Sequence, residues 1–183
     1  RVVLNFLQRM SGIATRTAAF AGEVKDLDTV ILDTRKTTPG FRALEKYSVT
    51  CGGGQNHRMG LFDMVMIKDN HIAAAGSISR AFTRASHYLK EKQLSLPVEV
   101  ETSDLTQVKE ALSLPVDRIM LDNMSCSLMA EAVSLIDGRV ETEASGNITL
   151  DTVRETALTG VDYISVGELT HSAASLDISM RII

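Results

Sequence analysis

Cysteine is almost missing: Cys51 and Cys126 are the only two in 183 residues, and their positions match neither a zinc-ligand spacing nor a disulfide framework. Both read as buried thiols, which suits a reducing compartment. No apolar run approaches the ~20 residues that a bilayer-spanning helix needs, and the first residues lack the layout of a signal peptide. The expectation is therefore a cytoplasmic protein with no membrane partner. A basic excess is also missing. Lys and Arg number 19 against 23 Asp and Glu, so the formal charge is -4 and a general nucleic-acid binder is not expected. Nor does the chain open on methionine. It begins within a helical pattern, so further chain upstream of Arg1 is expected.

Against that acidic background, three short stretches gather basic side chains among glycines and turn formers. They are Asp33-Thr34-Arg35-Lys36-Thr37-Thr38-Pro39-Gly40, Cys51-Gly52-Gly53-Gly54-Gln55-Asn56-His57-Arg58 and Ile67-Lys68-Asp69-Asn70-His71. Such surroundings let backbone approach a ligand closely, so the expectation is a small-anion site.

Val3, Leu7, Met10, Ala14, Thr17 and Ala21 recur at helical spacing and predict an amphipathic helix over residues 1–22. Beyond it, short apolar runs predict strands at 29–32, 64–67, 98–100, 119–121, 140–142 and 163–166. Helical patterns fall between them around Ile78 to Leu89, Leu105 to Leu112 and Leu128 to Ile136. Thr149 is placed to cap one more helix, with Gly160 at its far end.

Strands alternating with helices imply a parallel sheet covered by helices, and the strand ends favour a barrel over an open sheet. Each strand runs into a chemically distinctive group: Asp33 with Arg35 and Lys36, then Lys68, Glu101, Asp122, Ser145 with Gly146, and Gly167. A β/α barrel collects all its strand ends on one face, whereas an open sheet gathers ligands only at its switch point. A complete eight-fold barrel takes about 250 residues, so an incomplete barrel of six or seven strands is expected over residues 1–183. Period-two alternation places Glu99 and Glu101 opposite Val98 and Val100, and Glu141, Glu143 and Ser145 opposite Val140, Thr142 and Ala144. The apolar faces must meet the helices. The carboxylates then point into the barrel and need cations, for which Arg35, Lys36 and Lys68 are the expected companions.

Arg35, Lys36, His57, Arg58 and Lys68 could form ordinary salt bridges to those glutamates. A cluster at a barrel mouth argues instead for binding, arginine offering a planar fork to a carboxylate or phosphate and lysine a point charge. Gly52 to Gly54 are expected to be a hinge or close-approach loop. Ser145-Gly146-Asn147 and Val166-Gly167-Glu168 lie where barrels build phosphate cradles from backbone N–H groups, and Glu101 and Asp122 suit Mg²⁺ held partly through water. His87 reads as solvated, His71 and His171 as ambiguous, and the eight methionines as core filler.

Together with Leu4-Asn5-Phe6-Leu7-Gln8 and Ser11-Gly12-Ile13-Ala14-Thr15, these stretches resemble the quinolinate phosphoribosyltransferase family over the whole chain. The resemblance implies an incomplete α/β barrel of the type II phosphoribosyltransferase kind, preceded by an α+β domain and completed by a partner subunit in a homodimer or higher homo-oligomer. It implies that Arg35, His57, Arg58 and Lys68 hold the two carboxylates of quinolinate, with Arg1 offered from the neighbouring subunit. Lys36 would lie between quinolinate and phosphoribosyl pyrophosphate, Glu101 and Asp122 would face the ribose and Mg²⁺, and Ser145, Gly146 and Gly167 would cradle the 5-phosphate. Asn147 stands where many relatives carry glycine, and asparagine tolerates the same left-handed backbone.

The implied reaction is phosphoribosyl transfer to quinolinate with decarboxylation, giving nicotinate mononucleotide, pyrophosphate and CO₂. The alternatives are a paralogous phosphoribosyltransferase such as the protein associated with molybdenum transport, a Schiff-base aldolase using Lys68, and a dicarboxylate-binding or purely structural barrel.

Overall fold

The computed structural model describes residues 1–181 of the chain. The chain runs α1 (Val2–Glu23), β1 (Val30–Leu32), α2 (Arg42–Cys51), β2 (Val65–Ile67), α3 (Asp69–Ala75), α4 (Ile78–Glu91) and β3 (Val98–Thr102). It continues α5 (Leu105–Leu112), β4 (Arg118–Asp122), α6 (Cys126–Ile136), β5 (Glu141–Ser145), α7 (Val153–Ala157), β6 (Tyr163–Ser165) and α8 (Glu168–His171). All six expected strands are present, each within two residues of its expected start, and the domain limit read from the sequence includes Ile182 and Ile183, which lie outside the described residues.

Local chemistry sets several starts. Ser77, Asp104 and Ser125 each accept a backbone N–H from the third residue of the helix they precede, at 3.2, 2.8 and 3.3 Å, which satisfies donors that α4, α5 and α6 would otherwise leave unpaired. The last helix read from the sequence starts later than expected. Thr149 opens a turn instead, its carbonyl accepting the Thr152 and Val153 N–H groups, and α7 begins after Thr152. Helices α2, α3 and α8 were not read from the sequence, because α3 and α8 have only 7 and 4 residues and the buried face of α2 carries the charged Glu45 and Lys46 in place of an apolar stripe.

The sheet order is β1-β6-β5-β4-β3-β2, and every pairing is parallel. β1 and β2 are therefore the two edges, and the barrel is incomplete, as expected. Gln55 partly fills the gap: its N–H donates to Ile31 O at 2.8 Å, and its carbonyl accepts the Asp33 N–H at 3.1 Å. One residue of a seventh strand thus lies along β1 and carries His57 and Arg58 into the opening.

Alternation sorts the strands as the sequence reading requires. Val100, Ile119, Leu121, Ala144 and Ile164 are fully buried between sheet and helices. The opposite parity faces the barrel interior, where the register sets Glu99 beside Arg118, Glu101 beside Met120, Met120 beside Glu143, and Asp122 beside Ser145. Burying about 25 apolar side chains larger than alanine, at about 1.5–3 kcal/mol each, is what allows charged groups to be held inside the barrel at all.

Three sequence expectations are corrected here. Of the stripe from Val3 to Ala21 only Thr17 is fully buried in α1. Gly12, Ile13, Thr17 and Phe20 are buried, whereas Val3 is 70% and Leu7 47% exposed, because only the C-terminal half of α1 lies on the barrel. Cys51 is exposed and Cys126 half-buried, since each sits at a helix end rather than on its packed face. The glycine triplet approaches α1, not a ligand. A Cβ at Gly52 would lie 2.4 Å from Ala14 O, and one at Gly54 2.8 Å from Thr17 Cγ2, so α1 and the segment after α2 meet backbone to backbone.

Candidate active site

The C-terminal strand ends surround an open cavity of about 810 Å³. β1 delivers Arg35 and Lys36, the Gln55 bridge His57 and Arg58, β2 Lys68, β3 Glu101, β4 Asp122, β5 Ser145 and Gly146, and β6 Gly167. Ten of the eleven residues read from the sequence as site residues therefore line one cavity. The eleventh, Arg1, does not line it and is exposed at the start of α1.

The cations are unevenly matched. Lys68 pairs with Glu101, as expected. Arg35 and Lys36 do not neutralise the barrel glutamates; within the described residues neither has a carboxylate partner, and Arg35 Nη1 is buried with no hydrogen-bond partner. Arg58 donates to Met64 O at 3.2 Å and otherwise rests on the Met66 sulfur at 3.6 Å. Burial, and after it the charge of Arg35, pulls the Arg58 pKa down, so two underpartnered guanidiniums share one region of the cavity. An anion with two charges would relieve both.

The glutamates find other partners because the β-register, not the mouth of the barrel, decides what lies next to them. Glu99 and Glu143 are fully buried, and His57 Nε2 lies 3.1 Å from each, although no contact there is aligned as a hydrogen bond. Arg118 closes the cluster from the strand starts, its Nη1 3.1 Å from Glu143 and its guanidinium 3.9 Å above the Tyr163 ring. Sequence reading missed Arg118, yet the signal was present: on β4 it shares parity with Met120 and Asp122, the two positions that line the cavity.

His57 Nδ1 accepts the Arg58 N–H at 2.7 Å, so the neutral ring carries its proton on Nε2, between the carboxylates. Burial lowers the imidazolium pKa, but Glu143 and Glu99 outweigh it and hold the value up at about 9. Burial and the Glu143 charge raise Glu99 to about 7. The triad thus keeps an extra proton past neutrality, held among His57 and the two buried carboxylates. These three residues have ligand atoms within 4.8 Å of one another, the geometry of a metal site. The retained proton and Arg118 already offset both carboxylates, so no dication is needed there.

The folded state thus binds more protons than the unfolded chain, both between the ordinary glutamate range and about 7 and between about 6.5 and 9. Stability from this cluster is full on the acid side and is lost as pH rises through those windows. Glu99→Gln, which mimics the protonated acid, is expected to melt with wild-type at pH 5 and above it at pH 9, by up to ~3 kcal/mol equivalent. Thermal melts at both pH values check this, and a variant less stable than wild-type at pH 9 would refute it.

The remaining lining residues include several that the sequence left open. Gly146 has φ +100, and a Cβ there would lie 2.2 Å from Asn123 Oδ1, so this loop lies directly against the β4 end. Asn147 adopts the left-handed backbone expected of it, φ 53, and donates to Asn123 Oδ1 at 3.0 Å. His171 also lines the cavity, and a Cβ at Gly167 would come within 3.2 Å of it and 3.3 Å of Lys36. Met66 and Met120 line the cavity and are not simple core filler. His71 is no ligand-facing group; its Nδ1 accepts the Lys68 N–H at 3.0 Å and so fixes the backbone where β2 ends.

Residues 13–181 match the family profile described as quinolinate phosphoribosyl transferase, C-terminal domain. The chain is 54% identical, over its whole length, to quinolinate phosphoribosyltransferase [decarboxylating] 1b of Nicotiana tabacum, covering 56% of that protein. It is 50% identical to a probable nicotinate-nucleotide pyrophosphorylase [carboxylating] of Bacillus subtilis, again over all of this chain and 62% of the relative. Among solved structures, NadC from Streptococcus pyogenes superposes with a TM-score of 0.93 at 49% identity, over 99% of this chain and 62% of that one. The chain thus spans about half to two-thirds of the length of the relatives it matches. A cationic cavity at the mouth of an incomplete six-stranded barrel, together with these matches, shows that the chain belongs to the quinolinate phosphoribosyl transferase family, to which it corresponds as the C-terminal domain.

Proposed function

We propose that this chain carries the catalytic barrel of an enzyme that transfers phosphoribosyl from phosphoribosyl pyrophosphate to the nitrogen of quinolinate, with loss of CO₂, yielding nicotinate mononucleotide and pyrophosphate. The observation that carries this reading is the uncompensated Arg35 and Arg58 pair beside Lys36 and Lys68, a site built for a dianion in an acidic protein. The printed names of the Nicotiana tabacum and Bacillus subtilis relatives support it.

On this reading Arg35, Arg58 and Lys68 bind and orient the two carboxylates. His57 acts on the carboxylates through Arg58, whose backbone N–H its Nδ1 accepts, since both its ring nitrogens already face protein groups. Ser145, Gly146 and Gly167 receive the 5-phosphate. Lys36, exposed and without a carboxylate partner among the described residues, lies between the two substrates and meets the departing pyrophosphate. As the anomeric carbon becomes cationic, Glu101 and Asp122 supply fixed negative charge. The ring nitrogen is cationic once joined to the ribose, so it stabilises the electron pair left behind when the adjacent carboxylate departs as CO₂. The chain's part in that step is to position the ring and shield it from water.

Glu101 and Asp122 are half-buried oxygen donors on adjacent strand ends, which suits a hard cation that keeps part of its water shell. Mg²⁺ held there would offset charge on the leaving pyrophosphate. The Lys68 to Glu101 pair joins the two halves of the site, since one partner serves the carboxylates and the other the ribose.

A homo-oligomer with a shared site also belongs to this proposal, with Arg1 reaching a neighbouring subunit. Exposed apolar groups support it: Val2 and Val3 are 69% and 70% exposed, Leu61 and Phe62 74% and 72%, and Phe6 stacks on Phe41 at 5.7 Å. Mixing an Arg1→Ala enzyme with a Lys36→Ala enzyme is then expected to restore partial activity, because one hybrid site keeps both groups. Activity in the mixture no higher than in either variant alone would count against a shared site.

No helix among the described residues is long and apolar enough to cross a membrane. Unpaired cysteines fit a reducing compartment, the cytoplasm on this reading, although relatives from rice and tobacco carry chloroplastic and mitochondrial in their names. The test of the whole proposal is quinolinate-dependent release of CO₂ and pyrophosphate by the complete gene product. Borohydride trapping of a carbonyl substrate on Lys68, with no such release, would favour the aldolase alternative.

A further inference from the structure

Three polar residues of α2, Arg42, Glu45 and Lys46, stand at i, i+3 and i+4 and so share one helix face. Glu45 and Lys46 are fully buried, an arrangement that costs desolvation and stabilises little by itself unless every contact is made. Glu45 pairs with Arg9 of α1 at 2.8 Å, and the other side-chain contacts of the three go to the two loops that carry the cations. Glu45 accepts the Thr38 N–H at 3.0 Å and the Thr38 hydroxyl at 2.8 Å, which ties down the chain just past Arg35 and Lys36. Lys46 pairs with Asp33 and donates to His57 O at 2.8 Å, while Asp33 Oδ1 accepts the His57 N–H at 2.9 Å. Arg42 spans both loops at once: Nε reaches Thr37 Oγ1 at 3.0 Å, Nη2 reaches Arg35 O at 3.2 Å, and Nη1 reaches Met59 O at 3.1 Å.

We infer that this face of α2 is a brace that sets the separation of the Arg35 loop from the His57-Arg58 loop, and that it thereby selects a ligand with two carboxylates over one with a single carboxylate. The residues act through the loops and are positioning residues, not catalytic ones. A ligand with one carboxylate needs only one loop correctly placed. A dicarboxylate needs both at a fixed distance, so loosening the brace weakens dicarboxylate binding selectively. Arg42 is the residue to test, because it bonds both loops and, unlike Lys46, which also joins them through Asp33 and His57, it is only part-buried, so its loss leaves the Glu45 and Lys46 contacts standing.

The inference rests on the dianion reading given above, and the closing experiment separates the two. Calorimetric affinities are measured for quinolinate and for the pyridine monocarboxylates nicotinate and picolinate, in wild-type, Arg42→Met, Arg42→Lys and Thr38→Val proteins. Wild-type is expected to prefer quinolinate, and Arg42→Met to lose that preference by ~10-fold or more. Arg42→Lys should follow Met, since the three acceptors are met by three separate nitrogens of a planar fork and a single ammonium nitrogen on a shorter stem does not span them, and Thr38→Val should shift the same way by less. If Lys restored the wild-type preference, Arg42 would act only as a positive charge and the brace would be wrong. An unchanged preference in Arg42→Met and Thr38→Val, or equal losses for mono- and dicarboxylates, would likewise overturn it. A wild-type protein without any preference would instead overturn the dianion reading, and the brace with it.

Discussion

Arg35→Ala is expected to weaken quinolinate binding by ~10²-fold or more, and Arg58→Lys to do comparable damage although it keeps the charge. Arg35 presents a buried Nη1 without a partner, and Arg58 has little beyond a carbonyl and a thioether to satisfy its fork. The free protein therefore holds two like charges close together, partly desolvated and without a carboxylate partner, and burial, then the Arg35 charge, depresses the Arg58 pKa. A bound dianion removes that repulsion and fills the empty donors together, so deleting either guanidinium loses more than one ordinary hydrogen bond. Lysine at position 58 offers a point charge where two parallel donors are needed. Titration calorimetry with quinolinate measures both variants, and affinities within threefold of wild-type would mean that the dicarboxylate sits elsewhere.

Glu101→Ala should separate the two halves of the reaction. Turnover is expected to fall by ~10²-fold or more, because a fixed negative charge that meets the developing positive charge on the ribose acts mainly in the transition state. Quinolinate affinity should hold or improve, since Lys68 loses its internal partner and becomes free to face the substrate carboxylate. A variant that lost quinolinate affinity while keeping turnover would reverse these roles. Single-turnover rates in the complete gene product, set beside equilibrium binding, give both quantities.

The strands, their alternation and the strand-end chemistry were legible because they are local. Val98 to Thr102 must alternate faces whatever surrounds it, and the residue that ends a parallel strand must lie at the C-terminal edge of the sheet. That is why Lys36, Lys68, Glu101, Asp122, Ser145, Gly146 and Gly167 could be named in advance as neighbours in space. The recognisable runs around Arg35, His57 and Lys68 tied those neighbours to a family. The buried face of α1 was less legible, since small and apolar residues occupy more than one of its faces and only contact with the barrel decides which is covered.

Charge pairing was decided by tertiary structure alone. From the sequence, Arg35 and Lys36 were as available to the glutamates as any other cation. In the fold, β-register puts Arg118 next to Glu99, the Gln55 bridge swings His57 between Glu99 and Glu143, and α2 sends Lys46 to Asp33. Each of these contacts joins residues well separated in the chain, and a buried charge is stabilised only by whatever lies within a few ångströms of it. The sequence by itself thus determined which groups would reach the mouth of the barrel, because strand periodicity and chain direction are local properties. Only the packed structure decided which of those groups were neutralised internally and which, Arg35 and Arg58 above all, were left without a carboxylate partner among the described residues.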